Sequence, residues 1–115
     1  MKRALATRFA IVLTLTLMAA LSLAAEPQSR SLAGKVMDSN DQGIPRAIVY
    51  LKNTKTLVIK TYIAEQDGAY HFPGLSPNVD YEVYAEANGK RSDAKTVSSF
   101  DTKPRLNINL RIDNK

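Results

Sequence analysis

Apolar and polar positions alternate in short runs from residue 31 to residue 112, with no helical period of useful length among them. A period of two sends successive side chains to opposite faces of a strand. Leu32, Gly34 and Val36 alternate against Ala33 and Lys35, and the run breaks at Asp38-Ser39-Asn40-Asp41-Gln42-Gly43, a cluster of turn-forming residues. A second run over 46–52 places Ala47, Val49 and Leu51 on one face and Ile48 and Tyr50 on the other. Asn53-Thr54-Lys55 turns the chain, and residues 57–64, rich in β-branched and aromatic side chains, predict a third strand. Asp67-Gly68 between apolar runs signals a hairpin.

Residues 69–72 predict a short fourth strand with Tyr70 and Phe72 on one side and His71 on the other, followed by a loop over 73–78. In the next run Tyr81, Val83, Ala85 and Ala87 alternate with Glu82, Tyr84 and Glu86, so Tyr84 faces outward with Tyr50. After Asn88-Gly89 a polar stretch, 91–98, reads as a weak edge strand. Leu106, Ile108, Leu110 and Ile112 then mark a last strand over 105–112. Seven strands in residues 31–112 is one for roughly every twelve residues, the spacing of a β-sandwich. A chain of this size buries only about 60–65% of its unfolded surface, which supports one core.

The first 25 residues follow a different pattern. Lys2, Arg3 and Arg8 precede an uncharged apolar stretch over 9–23, and Ser22-Leu23-Ala24-Ala25 supplies small residues for a signal peptidase. Residues 1–25 are therefore expected to form a helical signal peptide cut after Ala24 or Ala25, with 26–30 a polar lead-in and 31–112 the folded domain. An uncleaved anchor would need about 20 apolar residues, and this stretch is shorter and diluted by Thr14, Thr16 and Ser22. Without cysteine there is no site for a lipid anchor, and no stable membrane anchor is expected after cleavage. The expected destination is a periplasm or the outside of the cell.

Charge changes the picture little once the leader is set aside. The chain carries 16 Lys+Arg against 11 Asp+Glu, a formal +5, but three of the cations lie in the leader, leaving 13 against 11. That is a mixed, solvated surface, and no nucleic-acid partner is expected. Zero Cys and one His exclude a disulfide framework and a Cys-ligated metal, and leave almost no room for a Ser/Cys–His hydrolase.

Candidate chemistry is sparse. The Asp38–Gly43 segment lacks the acidic fifth position and the bidentate Glu of a calcium loop, having Gln42 and Val49 there, so a simple turn is expected. His71 has no second His or Cys to share a metal. Glu82 and Glu86 lie about 13 Å apart along an extended strand, wider than a glycosidase pair requires. No catalytic residue, cofactor site or metal site is expected. What remains is an outer face carrying Ile48, Tyr50 and Tyr84, the candidate ligand-binding surface. Gly43, Pro45 and Gly68 are expected as structural turn residues, and Tyr70 and Phe72 as core.

Four blocks carry a resemblance. They are Gly34-Lys35-Val36-Met37-Asp38, Gly43-Ile44-Pro45-Arg46-Ala47-Ile48-Val49-Tyr50-Leu51, Asp67-Gly68-Ala69-Tyr70-His71-Phe72-Pro73-Gly74-Leu75-Ser76-Pro77, and Tyr81-Glu82-Val83-Tyr84-Ala85 before Asn88-Gly89. Together they resemble a carboxypeptidase regulatory-like domain over nearly all of the chain after the leader. The resemblance implies an all-β, seven-stranded Greek-key sandwich, transthyretin-like or Ig-like in architecture, with no catalytic activity. Where the family commonly has Pro-Gly-x-Tyr, this chain has Pro77-Asn78-Val79-Asp80-Tyr81, one residue longer. The expected function is a non-catalytic secreted or periplasmic interaction module, monomeric, whose partner is a protein or glycan of the cell envelope. Two alternatives stand beside it: a carbohydrate-binding module like a starch-binding sandwich, by fold analogy, and an envelope scaffold presenting an edge strand.

Overall fold

Nine strand segments form two sheets in the computed structural model, which describes residues 29–113. The expected leader lies outside the described residues, as do positions 26–28 of the expected lead-in. Among the described residues no helix is long and apolar enough to cross a membrane.

In the first sheet β1 (Arg30–Met37) is central. It pairs antiparallel with β4 (Ala69–Leu75) on one edge. On the other it pairs parallel with β8 (Arg105–Asn107) and β9 (Leu110–Arg111). The second sheet runs β3 (Ile59–Ile63), β2 (Ile48–Asn53), β5 (Tyr81–Ala87), with β6 (Lys90–Arg91) and β7 (Lys95–Val97) along the far edge of β5. All its pairings are antiparallel.

The core lies between the sheets and is supplied by alternate side chains of both. Leu32, Val36, Leu106, Leu110 and Ile112 come from the first sheet and its C-terminal end, and Val49, Leu51, Tyr81, Val83 and Ala85 from the second. Tyr70 and Phe72 are buried on β4, while His71 between them is exposed. The Tyr70 hydroxyl donates to the Ile108 carbonyl, which satisfies a polar tip inside an apolar layer. Burial also raises its pKa well above the ordinary phenol value, so it stays neutral. Tyr62 of β3 meets Phe72 edge-on, with ring centroids 6.0 Å apart.

Two expected strands are each broken in two, which gives nine segments where alternation predicted seven strands. At the break between β8 and β9, Asn109 Oδ1 accepts from the Lys35 N–H at 3.0 Å. At the break between β6 and β7, Ser92 Oγ accepts from the Ala85 N–H at 2.9 Å, and the Ser92 N–H donates to the Ala85 carbonyl at 2.8 Å. A side-chain oxygen thus takes the place of a ladder carbonyl at both breaks, which satisfies the N–H groups of Lys35 and Ala85.

Strand ends also differ from the alternation. β4 continues through Pro73 and Gly74 to the buried Leu75, where a loop was expected. An edge position makes this possible, since Pro73 has a neighbour on one side only. β2 begins at Ile48 because Pro45 and Arg46 form a turn in which Arg46 takes φ 61°. β3 begins at Ile59 because Leu57, at φ 66°, belongs to the turn that Asn53 Oδ1 caps through the N–H groups of Lys55 and Thr56.

The two expected turn glycines serve different ends. Gly68 closes a turn with φ 83°, its N–H donating to Glu65 O at 2.9 Å. Gly43 has no positive φ; it bridges to Met37, and a Cβ there would run into the Asp67 carbonyl. Its constraint is close approach of two backbones, not turn conformation. Arg30, expected in the polar lead-in, is the first residue of β1 and is buried.

Phe72→Ala should cost about 3–5 kcal/mol in urea melts, because it empties the contact between the sheets. His71→Ala, one residue away on the exposed side, should stay within about 0.5 kcal/mol. Equal losses would contradict the burial pattern of β4.

Candidate functional site

The outward tyrosines meet because of register. β2 and β5 pair so that Tyr50 lies directly opposite Tyr84, and the two rings stack with centroids 4.9 Å apart and planes within 16°. Arg91, across from Glu86 on β6, places its guanidinium 4.7 Å from the Tyr84 ring centroid. The same guanidinium donates to Glu86 Oε1 through Nε at 2.9 Å and Nη2 at 2.6 Å. Tyr50 donates its hydroxyl to the other oxygen, Glu86 Oε2, at 3.3 Å. The four side chains form a ring of contacts, Tyr50 to Tyr84 to Arg91 to Glu86 and back to Tyr50.

The electrostatics follow from that ring. Partial burial and then the Glu86 carboxylate raise the Tyr50 pKa above the ordinary phenol value. The hydrogen bond to Glu86 raises that of Arg91 in turn. The patch sets one guanidinium against one carboxylate, which form an ion pair at 2.6 Å beside the two phenols. Beside it, Ile48 is 40% exposed and sits opposite Ile63 of β3, which is 67% exposed. The structure therefore brings the three candidate surface residues Ile48, Tyr50 and Tyr84 together on one outer face. Gly43, Pro45 and Gly68 lie away from it in the connecting segments.

A second cluster escaped the alternation argument. Arg30 is only 4% exposed, and its guanidinium donates to four backbone carbonyls. They are Ser98 at 2.7 Å, Asp101 at 3.0 Å, Ser76 at 2.9 Å and Val79 at 3.0 Å. Two loops, 76–80 and 98–104, are thereby tied to the start of β1. Among the described residues its Nε has no hydrogen-bond partner. The signal was parity: Arg30 shares the inward register of Leu32 and Val36. Nearby, the Asp80 carboxylate accepts from the Ser99 N–H, and these hydrogen bonds hold it below the usual carboxylate range. The Asp80 carbonyl accepts from Thr54 N–H at 3.1 Å and Oγ1 at 2.7 Å, linking the β2–β3 turn to the same end.

The remaining candidates are structural. Asp38 Oδ1 accepts from the N–H groups of Asn40 and Gln42, which closes an Asx-type turn, and Asp41 pairs with Arg111 at 2.6 Å. Among the described residues no three His, Cys, Asp or Glu side chains gather as a metal site would require.

Residues 31–111 match the carboxypeptidase regulatory-like domain, and the chain belongs to that family. No curated protein matches it. Its fold is similar to that of BcpA, the major pilin subunit of Bacillus cereus, with a TM-score of 0.60 at 13% identity, over 77% of this chain and 31% of that one. It is also similar to the group B streptococcus pilus 2b backbone protein, with a TM-score of 0.57 at 17% identity, over 74% of this chain and 41% of that one. The chain thus corresponds to less than half the length of either. A third likeness is to the dioxygenase domain of a dioxygenase carbohydrate-binding protein fusion from Streptomyces sp. SirexAA-E. There the TM-score is 0.51 at 14% identity, over 77% of this chain and 82% of that one. At such identities the shared property is the β-sandwich.

Arg30→Met should destabilise the domain by about 2–4 kcal/mol in denaturant melts, since four charged hydrogen bonds to partly buried carbonyls are lost and nothing replaces them. Asp80 gives a pH signature. Its folded pKa lies below the unfolded value of about 3.9, so its carboxylate stabilises the fold above that pH and ceases to as pH falls through the folded value. The stability advantage of the wild type over Asp80→Asn should accordingly be full at neutral pH and disappear in acid below about pH 4. An advantage that persists unchanged in strong acid would mean the charge is not what matters.

Proposed function

We propose that this chain is a non-catalytic interaction module, exported through a cleaved leader, that binds a protein partner through the outer face of its five-stranded sheet. The observation that carries the reading is the fixed Tyr50–Tyr84–Arg91–Glu86 ring flanked by exposed Ile48 and Ile63. Tyrosine, arginine and aliphatic side chains held in one conformation are what a protein interface uses at its centre, because little rotamer entropy is left to lose on binding. The glycan alternative is weaker on the same geometry. A sugar needs a free aromatic face, and Tyr84 lies between the Tyr50 ring and the Arg91 guanidinium. The likeness to the Streptomyces protein falls on its dioxygenase domain, so it lends the glycan reading no support.

Export suits a fold similar to a major pilin subunit and a pilus backbone protein. In this reading the folded domain spans 31–112 and the mature chain starts at Ala25 or Glu26. We take the nine segments as seven strand positions of a Greek-key sandwich, with β6 and β7 sharing one position and β8 and β9 another. The mass of the secreted product tests the first half: a chain beginning at residue 25 or 26 is expected, and full-length chain in the membrane fraction would overturn export by cleavage.

The binding face is tested by peptide and oligosaccharide panels read by chemical-shift perturbation. Peptide ligands should shift Ile48, Tyr50, Tyr84 and Arg91, and oligosaccharides should leave them unmoved. Tyr50→Ala/Tyr84→Ala, still folded, should weaken the peptides by roughly tenfold or more. Unchanged affinity in the double variant would reduce this face to the solvated side of a sheet.

A further inference from the structure

Two sheets leave four strand edges, and three of them are interrupted. β4 carries Pro73, which has no N–H, and Gly74 at φ 71°. The edge formed by β8 and β9 breaks at 108–109, and that formed by β6 and β7 breaks at 92–94. Interruptions of this kind prevent an edge from templating another chain. The fourth edge, β3, has none: Ile59-Lys60-Thr61-Tyr62-Ile63 runs unbroken, pairs among the described residues with β2 alone and is exposed except at half-buried Tyr62.

The direction of its free hydrogen-bonding groups follows from the pairing with β2. Asn53 N–H donates to Val58 O at 2.9 Å and Ala64 N–H donates to Ala47 O at 2.8 Å. Even-numbered residues of this stretch therefore face β2, and antiparallel alternation turns the N–H and C=O of Ile59, Thr61 and Ile63 to the open side. The side chains of the same three residues lie on the outer face, with Ile59 49% and Ile63 67% exposed. Among the described residues, backbone donors and acceptors without a strand partner and exposed apolar side chains lie together on this one edge.

We infer that β3 pairs antiparallel with β3 of a second copy of this chain, about a two-fold axis at Thr61. The strand is self-complementary in that register. Ile59 falls opposite the partner's Ile63 on the outer face, twice over, and Thr61 falls opposite the partner's Thr61. Lys60 falls opposite the partner's Tyr62, whose hydroxyl already bonds Glu65 Oε1 at 3.3 Å. Moving the axis by one residue to Lys60 sets two like charges against each other and sets Ile59 against Thr61, so Lys60 selects the register.

The seam is short. Five residues per strand bury less than the roughly 1,200–2,000 Å² of a standard interface, so the dimer forms and dissociates with concentration. The two-fold stands perpendicular to the sheet, and both outer faces then look the same way. If Tyr50 and Tyr84 form the recognition surface, a clause that rests on the proposed function, the dimer presents that surface twice and gains avidity.

The chain has no cysteine, so single thiols report the register directly. The secreted chain carrying Thr61→Cys should form a covalent dimer on mild oxidation, since opposed residues of a hydrogen-bonded pair lie about 5.5 Å apart at Cα, within disulfide range. Ile59→Cys should cross-link on mixing with Ile63→Cys, and neither should do so alone. Sedimentation equilibrium of the wild type should show a reversible monomer–dimer equilibrium, which Ile63→Lys, at an exposed position, weakens by roughly tenfold or more. Tyr50→Ala/Tyr84→Ala should leave that equilibrium intact, so failure of pairing and failure of the binding face are read separately. A wild type monomeric at every concentration, or cross-linking that favours Lys60→Cys over Thr61→Cys, would overturn the pairing.

Discussion

The parallel pairing of β1 with β8 and β9 is the constraint on which the rest of this fold depends. It joins the first strand of the domain to the last two, so the first sheet is complete only when the whole chain has folded. Contacts of such sequence separation bear the full loop-closure cost before they return any stabilisation. Two devices hold the junction. Arg30 at the start of β1 fixes the loops that lead into β5 and β8, and Asn109 supplies the carbonyl that the broken last strand lacks opposite Lys35. With no cysteine in the chain, burial between the sheets and these hydrogen bonds are what resist unfolding.

The second sheet is arranged differently on its two sides. Its inner face is spent on the core, while its outer face carries the Tyr50–Tyr84 stack, locked by Arg91 and Glu86. That lock pairs the two charges of the patch with each other. Ile48 carries the surface toward β3, where Ile63 and Ile59 continue it to the edge of the sheet. The tyrosine patch and the β3 edge are therefore one continuous surface.

The sandwich was legible in the residues because a buried face imposes a period of two wherever a strand is continuous, and the family through the Gly- and Pro-marked blocks that resemble the carboxypeptidase regulatory-like domain. Tyr70, Phe72, Val83 and Leu110 occupy inward positions of that period and are buried. Where a strand is held by something other than alternating apolar side chains, the period is silent. Ser92 and Asn109 look like ordinary polar residues of a strand, yet each marks a break and mends it with its own oxygen. Arg30 looks like part of a lead-in, since a cation is rarely assigned to a core.

By itself, then, the sequence determined which segments extend, which of their faces turn inward and where Gly68 must bend the chain, all consequences of side-chain chemistry within a few residues. Only the tertiary structure decided that Tyr50 meets Tyr84, that Gly43 is required by the carbonyl of Asp67, and that Arg30 has four carbonyls around it. It also decided which strand lies at an open edge, a property of sheet order. Each of these depends on pairing between segments distant in the chain, and periodicity within one segment carries no information about which other segment will lie beside it.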